Sequence, residues 1–332
     1  MKVVPVYIVD AFTTKRFAGN AAAVCLLDKQ DIPEEAYLKI AAEFNLSQTA
    51  YPRPLINGDD IRTASDFSLR WFSPTVEMDL CGHATLAAAH SYESLTENEN
   101  TILNFHTLSG ILTVKKSAEG GIEMNFPAHP LLSVHIPGGE NAFAEHFPEI
   151  DSPPFLKDLI QAVIPETLAI RGVVYSKDIK KLVIVVDENT PTADFHSFKP
   201  NYSRMLEIHP EGSFLTAVNV ALAPKNPSAQ GYIDESGRAY DYVSRNFPPW
   251  LGITEDPATG SAQVYIAPFY SKVLGKKQLY AFQDFPNRGA QFSVTILEGE
   301  EEGRLAIVGS AVTVVRGALN HPQIRGMRTP SE

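Results

Sequence analysis

Arg70-Trp71-Phe72-Ser73-Pro74 and Arg245-Asn246-Phe247-Pro248-Pro249 share the spacing R-x-F-x-P and lie 175 residues apart in a chain of 332. Carrying the same offset forward sets Cys81-Gly82-His83-Ala84-Thr85 against Asp256-Pro257-Ala258-Thr259-Gly260. Each segment then runs into a candidate helix, over residues 82–95 and 257–274. Two similar domains, each presenting a short loop and a helix start, account for both matches. The length agrees, since domains of about 100–200 residues leave room for two, each able to bury its own core.

Strand-like stretches dominate the rest: 6–10, 22–27, 67–72, 102–106, 111–114, 122–126, 169–174, 182–186, 214–221, 278–282, 292–297 and 305–315. They are rich in Val, Ile and Phe and are bounded by Gly, Pro, Asn or Asp. Helical periodicity is rarer. Residues 33–44 place Pro33 in a first turn, follow it with Glu34 and Glu35, and set Ala36, Tyr37, Ile40 and Phe44 on one face. Residues 131–154 carry several prolines and Gly138-Gly139 without a clear period, as a connection or insertion would, so a domain boundary is expected near residue 130.

Composition narrows the partners. Lys plus Arg number 28 against 39 Asp plus Glu, a net charge of −11, which argues against a grip on nucleic acid or an anionic membrane and leaves a small molecule as the expected ligand. With 44% hydrophobic and 20% charged residues the chain reads as an ordinary globular protein. Cys25 and Cys81 alone offer no disulfide framework and no CxxC pair. Apolar runs such as 21–27 and 182–186 fall far short of the roughly 20 residues that span a bilayer. Met1-Lys2-Val3-Val4-Pro5 lacks a signal-peptide core, so a cytoplasmic location is expected.

The two loop–helix junctions are candidate ligand sites. A helix N-terminus exposes unpaired N–H groups and the positive end of the macrodipole, which suits a carboxylate or phosphate, and small residues such as Gly82, Ala84, Gly260 and Ser261 let it approach. In a pseudo-symmetric pair these junctions are expected to face each other across a cleft, a common place for ligands. Asp256 followed by Pro257 has two readings, a helix N-cap or a catalytic carboxylate, and Asp79 is a candidate cap for the other helix. Glu43 falls on or beside the apolar face of the 33–44 helix near its C-terminal end. Partial burial and the negative helix end would there disfavour its charge, as proton shuttling near neutral pH requires; the alternative is an edge residue reaching solvent. His83 is either a catalytic group or a hydrogen-bonded structural one. His83 and His90 share a helix but no HExxH and no third ligand accompany them, so no metal is expected. GxGxxG, GxxxxGK[ST] and GxSxG are absent, removing the usual signatures of dinucleotide enzymes, P-loop NTPases and α/β-hydrolases.

Several ordered motifs resemble the PhzF family, the phenazine-biosynthesis isomerase group with a diaminopimelate epimerase-like fold. They are Asp10-Ala11-Phe12-Thr13 with Phe17-Ala18-Gly19-Asn20-Ala21-Ala22-Ala23-Val24, Glu43-Phe44-Asn45-Leu46-Ser47-Gln48-Thr49-Ala50-Tyr51, and Arg70 to Pro74 with Glu77-Met78-Asp79-Leu80-Cys81-Gly82-His83-Ala84-Thr85-Leu86-Ala87. Glu255-Asp256-Pro257-Ala258-Thr259-Gly260-Ser261-Ala262 and the stretch from Gly309 to Gly317 complete the set. The resemblance implies an α/β (α+β) protein of two pseudo-symmetric domains, each a barrel-like, mostly antiparallel sheet around a central helix. It sets the N-terminal domain at 1–128, completed by 306–320, and the C-terminal one at 129–305 with an insertion near 130–165.

The same resemblance implies a cofactor-independent isomerase, acting by a double-bond shift or epimerisation on a small carboxylate-bearing metabolite. Proton transfer falls to Glu43 assisted by His83, with Asp256 holding the substrate's functional groups. Asn20, Gly82, Thr259, Gly260 and Ser261 are the implied substrate-binding positions, no metal takes part, and a homodimer is a family expectation. Ala21 stands where the family has Pro and Gln48 where it frequently has Glu. Epimerase-like racemases with two thiols need a Cys on both loops; here Cys81 is matched by Asp256, which disfavours that branch. Two rivals remain open: a non-catalytic metabolite-binding or interaction protein, and nucleophilic catalysis through Cys81 or Ser261 with His83.

Overall fold

The computed structural model describes residues 3–27, 32–56, 60–95, 97–117, 120–136 and 141–320. Two compact units divide it, one running to Phe126 and resuming at Ile307, the other Pro127–Ala306.

The N-terminal unit holds β1 (Val3–Ala11), β2 (Asn20–Cys25), α1 (Glu34–Phe44), β3 (Gln48–Pro54), β4 (Asp66–Phe72), β5 (Glu77–Met78), α2 (Gly82–Leu95), β6 (Ile102–Thr107), β7 (Gly110–Lys116) and β8 (Ile122–Pro127). A C-terminal strand, Ala311–Asn320, lies antiparallel on β1. From there the order is β1, β2, β3, β4, β6, β7, β8, with parallel steps at β2–β3 and β4–β6 and the others antiparallel. A parallel step needs a crossover, and α1 and α2 supply them. Gly82 and the residues up to Ala89 are all buried, so α2 is covered on every side; a helix apolar all round belongs inside a core. It packs on β1, β2, β3 and the C-terminal strand. Strand β4 alternates, sending Phe67, Leu69 and Trp71 inward, where the Phe67 ring lies 4.1 Å from Tyr92 of α2. On the outer face α1 buries Ala36, Tyr37, Ile40 and Ala41 against Val4, Val6, Tyr51 and Phe72.

The C-terminal unit contains β9 (Leu132–Val134), β10 (Glu149–Ile150), α3 (Leu156–Val163), β11 (Ile170–Ser176), β12 (Lys181–Val186), α4 (Thr192–Ser197), α5 (Tyr202–Ile208), β13 (Ala217–Leu222), α6 (Pro227–Gln230), β14 (Tyr242–Phe247), α7 (Gln263–Leu274), β15 (Gln278–Gln283) and β16 (Ala290–Ile296), and β17 (Arg304–Gly309) leads out of it. Its pairings run β11–β12 antiparallel, β12–β13 parallel, β13–β14 antiparallel, β14–β15 parallel and β15–β16 antiparallel. That repeats the first unit step for step, with α4 and α5 in the place of α1 and α7 in the place of α2. Arg70 and Arg245 therefore sit on equivalent strands, β4 and β14. One sheet face, through Leu182, Ile184, Val218, Val220, Val243 and Phe247, meets Leu159, Phe195 and Met205 of α3 to α5; the other faces α7, where Asn219 donates to Tyr265 Oη at 2.6 Å.

Several boundaries differ from the sequence expectation. Residues 305–315 form two strands, because the Ser310 carbonyl turns aside to accept the Thr13 N–H at 3.1 Å. Strands β3 and β14 were not expected, and the 131–154 stretch carries β9 and β10. The predicted 257–274 helix begins only at Gln263, after a 3-10 turn at Gly260–Ala262. Within it Pro268 has no N–H to give the Val264 carbonyl, and the backbone N–H of His129 takes that place at 2.9 Å. Among the described residues no helix is long and apolar enough to cross a membrane.

Candidate active site

In the N-terminal unit the candidate side chains come from three chain segments. Asn45 closes α1 in the left-handed region at φ 51°, its N–H bonded to the Ala41 carbonyl, and so turns the chain sharply into β3. Ser47 sits on that turn. Its hydroxyl donates to Asn20 Oδ1 at 3.3 Å and lies 3.2 Å from His83 Nε2, while His83 Nδ1 lies 3.3 Å from Cys81 Sγ. Cys81 is the N-cap of α2, since its carbonyl accepts both the N–H and the hydroxyl of Thr85; the capping role considered for Asp79 is not filled. Asn20, Cys81, Gly82 and His83 are all buried. Burial pulls the His83 pKa down to about 4, so the ring is neutral at physiological pH. One polarity satisfies every group: thiol to Nδ1, Nε2–H to Ser47, and Ser47 to Asn20. Because His83 carries no charge, Cys81 lacks the imidazolium that activates a nucleophilic thiol.

Glu43 does not join this relay. Its side chain is exposed, contrary to the partial burial expected from helical spacing. The core beneath α1 reaches Ala36, Tyr37, Ile40 and Ala41 and closes at the half-buried Phe44, so the last turn projects past it. The burial argument for a proton-shuttling Glu43 therefore falls away. Ser47 and Gln48 are what the residue reading passed over. Gln48, standing where the resembled family frequently has Glu, is 6% exposed, and its Oε1 has no donor among the described residues.

In the C-terminal unit Thr259 is a hub. Its hydroxyl donates to Asp256 Oδ2 at 2.5 Å and accepts from Asn246 Nδ2 at 2.7 Å and Gln283 Nε2 at 3.0 Å. Gln283 also donates to the Asp256 carbonyl at 2.5 Å and accepts the Thr259 N–H at 2.8 Å. Strands β14 and β15 thus fix the loop through Asn246 and Gln283, and Asp256 forms a β-bridge to Asn246. With α7 starting at Gln263 and its carboxylate taken up by a side-chain hydroxyl, Asp256 is not the cap of α7. One residue earlier, Glu255 is clamped by Arg245 at 2.7 and 3.0 Å; burial raises the Glu255 pKa against the pull of that guanidinium. Gly260 is buried and Ser261 half-buried, both in the 3-10 turn. Lys181, which nothing in the sequence singled out, donates to Thr216 Oγ1 at 2.8 Å and feels the Asp256 charge.

The structure thus brings Asn20 and His83 together through Ser47, and Asp256 and Thr259 together through Asn246 and Gln283. Among the described residues, no group of three or more His, Cys, Asp or Glu side chains is placed to hold a metal ion. Comparison with known proteins agrees with the motifs. Residues 9–317 match the family model described as phenazine biosynthesis-like protein, PhzC-PhzF. The chain is 37% identical over 315 residues to the mouse phenazine biosynthesis-like domain-containing protein 2, covering 95% of this chain and 98% of that one. It is 33% identical over 322 residues to an uncharacterised isomerase of Halalkalibacterium halodurans, covering 96% and 99%. Among solved structures, a PhzF-family phenazine biosynthesis protein of Enterococcus faecalis superposes with a TM-score of 0.73 at 28% identity, covering 96% and 100%. The chain belongs to the phenazine biosynthesis-like, PhzC-PhzF family.

Proposed function

We propose that this protein is an isomerase that moves a proton on a small, carboxylate-bearing metabolite without an organic cofactor or metal. The observation that carries the reading is the buried, neutral His83, held at both ring nitrogens by Cys81 and Ser47. A neutral imidazole keeps one N–H and one lone pair, so it can pass a proton without a net charge entering the core. Asp256 supplies a carboxylate oriented by Thr259. Backbone N–H groups at Gly82 and His83 in the N-terminal unit, beside Asn20, and at Gly260 and Ser261 in the C-terminal unit are each proposed as a carboxylate grip. The names of relatives, including an uncharacterised isomerase, support the reaction class. Glu43 enters as an accessible carboxylate four residues from Ser47, with exposure as its sole structural support.

The test is deuterium exchange. Small carboxylic acids with an acidic C–H beside the carboxylate, or conjugated to it, are incubated with the enzyme in D2O and followed by proton NMR. Wash-in at one carbon that disappears in His83→Asn and Asp256→Asn is the expected result. On a substrate so verified, equal exchange by Glu43→Gln would remove Glu43 from the proton-transfer step.

A second reading, a metabolite-binding protein without turnover, draws on Gln48, a buried amide that cannot titrate, and on the exposure of Glu43. Calorimetric binding across the same panel with no exchange at any carbon selects it.

A further inference from the structure

The α7-facing side of the C-terminal sheet carries a row of buried and half-buried polar side chains. Strand register sets Lys181 opposite Ser176 on one side and Ala217 on the other, and Asn219 opposite Asn246. Alternation along the strands puts Ser176, Lys181, Asn219 and Asn246 all on the α7 face, because Leu182, Val218 and Phe247 belong to the opposite core. Asn219 spends its amide N–H on Tyr265 and Asn246 spends its own on Thr259. Asn219 Oδ1, Asn246 Oδ1 and Ser176 Oγ are then buried with no hydrogen-bond partner among the described residues.

Lys181 stands at the rim of this patch, half-buried, and Thr216 accepts one of its three N–H donors at 2.8 Å. Burial lowers its pKa to about 8, against the pull of the Asp256 carboxylate, so the ammonium is still charged at neutral pH. A partly desolvated cation is costly unless an anion completes its surroundings. Ser176, directly opposite Lys181, has a buried hydroxyl that can donate to the same anion, whereas the two amide oxygens only accept and take no part in holding it.

We propose that Lys181 is a ligand-reading residue of the C-terminal unit: its ammonium, held at the rim by Thr216 beside the Asp256 loop, takes an anionic group of the bound metabolite. It rests on the isomerase reading only in taking that metabolite to be a carboxylate. The structural alternative is that Lys181 merely balances the Asp256 charge.

The experiment reads Lys181 directly in the full-length protein labelled with 13C-lysine, its resonance assigned by its loss in Lys181→Met. Succinate, butyrate and neutral butanamide are titrated in turn. Saturable shifts of the Lys181 signal with both carboxylates and none with butanamide are expected. By calorimetry Lys181→Met should weaken succinate binding about tenfold or more, and Lys181→Arg should stay within about threefold of wild type. No saturable shift with either carboxylate overturns the proposal, as does unchanged succinate binding by Lys181→Met. If Lys181→Met does not fold, the wild-type titration decides, with the signal assigned in Lys181→Arg. The readout needs no turnover, so absent deuterium exchange with an intact Lys181 response removes the isomerase reading and leaves this inference standing.

Discussion

Ser47 Oγ lies 3.2 Å from His83 Nε2 and donates onward to Asn20, so a serine hydroxyl fixes which imidazole nitrogen carries the proton. Ser47→Ala leaves a buried N–H without an acceptor and the Asn20 carbonyl without that donor. A loss of about 1–3 kcal/mol is expected from each unsatisfied buried group. Urea unfolding measures it. Ser47→Thr, which keeps the hydroxyl, should recover most of the loss; if it does not, the hydrogen bond is not the cause.

The depressed pKa of His83 sets a pH dependence of stability. Above pH 6.5 the ring is neutral both folded and unfolded and no penalty applies. As pH falls from 6.5 towards about 4, the unfolded chain takes up a proton that the folded state refuses, and stability is lost. The loss amounts to about 3 kcal/mol by the bottom of that window. Unfolding free energies measured at intervals across it should slope downward with acid, and His83→Asn should flatten the slope. A variant as acid-sensitive as wild type would assign the effect to other groups.

Arg70 and Arg245 are duplicates in sequence but not in environment. Arg245 is 1% exposed, bidentate to Glu255, stacked over Phe198 and Phe247, and donates to the carbonyls of Phe195, His196 and Phe198. Arg70 stacks on Tyr37 and Phe72 at the surface and pairs with Glu34 and Glu77. Removing one partner of a buried pair costs about 3–5 kcal/mol, and that is the expectation for Arg245→Met. Arg70→Met should cost about 1 kcal/mol or less. Equal effects in denaturant would contradict the assignment.

Gly19 adopts φ 58°, and a Cβ there would meet the Ala11 carbonyl oxygen at 2.1 Å. Gly19→Ala combines a left-handed backbone cost of about 1–2 kcal/mol with that collision, immediately before Asn20. A lower melting temperature is expected, together with a loss of ligand affinity larger than any caused by Gly275→Ala, where φ is also positive but nothing lies within 4 Å.

The fold was legible where chemistry is local. Most strands follow Val, Ile and Phe clusters, and the R-x-F-x-P repeat matched Arg70 with Arg245, which lie on the equivalent strands β4 and β14. What escaped were β3, which contains Pro52 and Pro54, and β14, whose Ser244-Arg245-Asn246 core looks polar because its partners come from elsewhere. Leu156, Leu159, Ile160 and Val163 do carry helical spacing, so α3 was readable just beyond the aperiodic 131–154 stretch, where no helix was expected. The site was half legible. His83 and Asp256 lie on loop–helix junctions that the sequence marks and Thr259 is supplied by the resemblance, whereas Gln283 reaches the Asp256 loop only through sheet register and Lys181 faces α7 only by strand alternation. The exposure of Glu43 depends on where the sheet under α1 ends, which periodicity does not record.

The strand Ala311–Asn320 covers β1 along its whole length, from Val3 to Ala11. The two are the first and last described strands of the chain. During synthesis β1 therefore keeps that edge open until residues 311–320 emerge, by which point the whole Pro127–Ala306 unit has already been made. A chain interrupted near residue 310 would release a protein with one completed half and one adhesive strand, an invitation to pair with the wrong molecule.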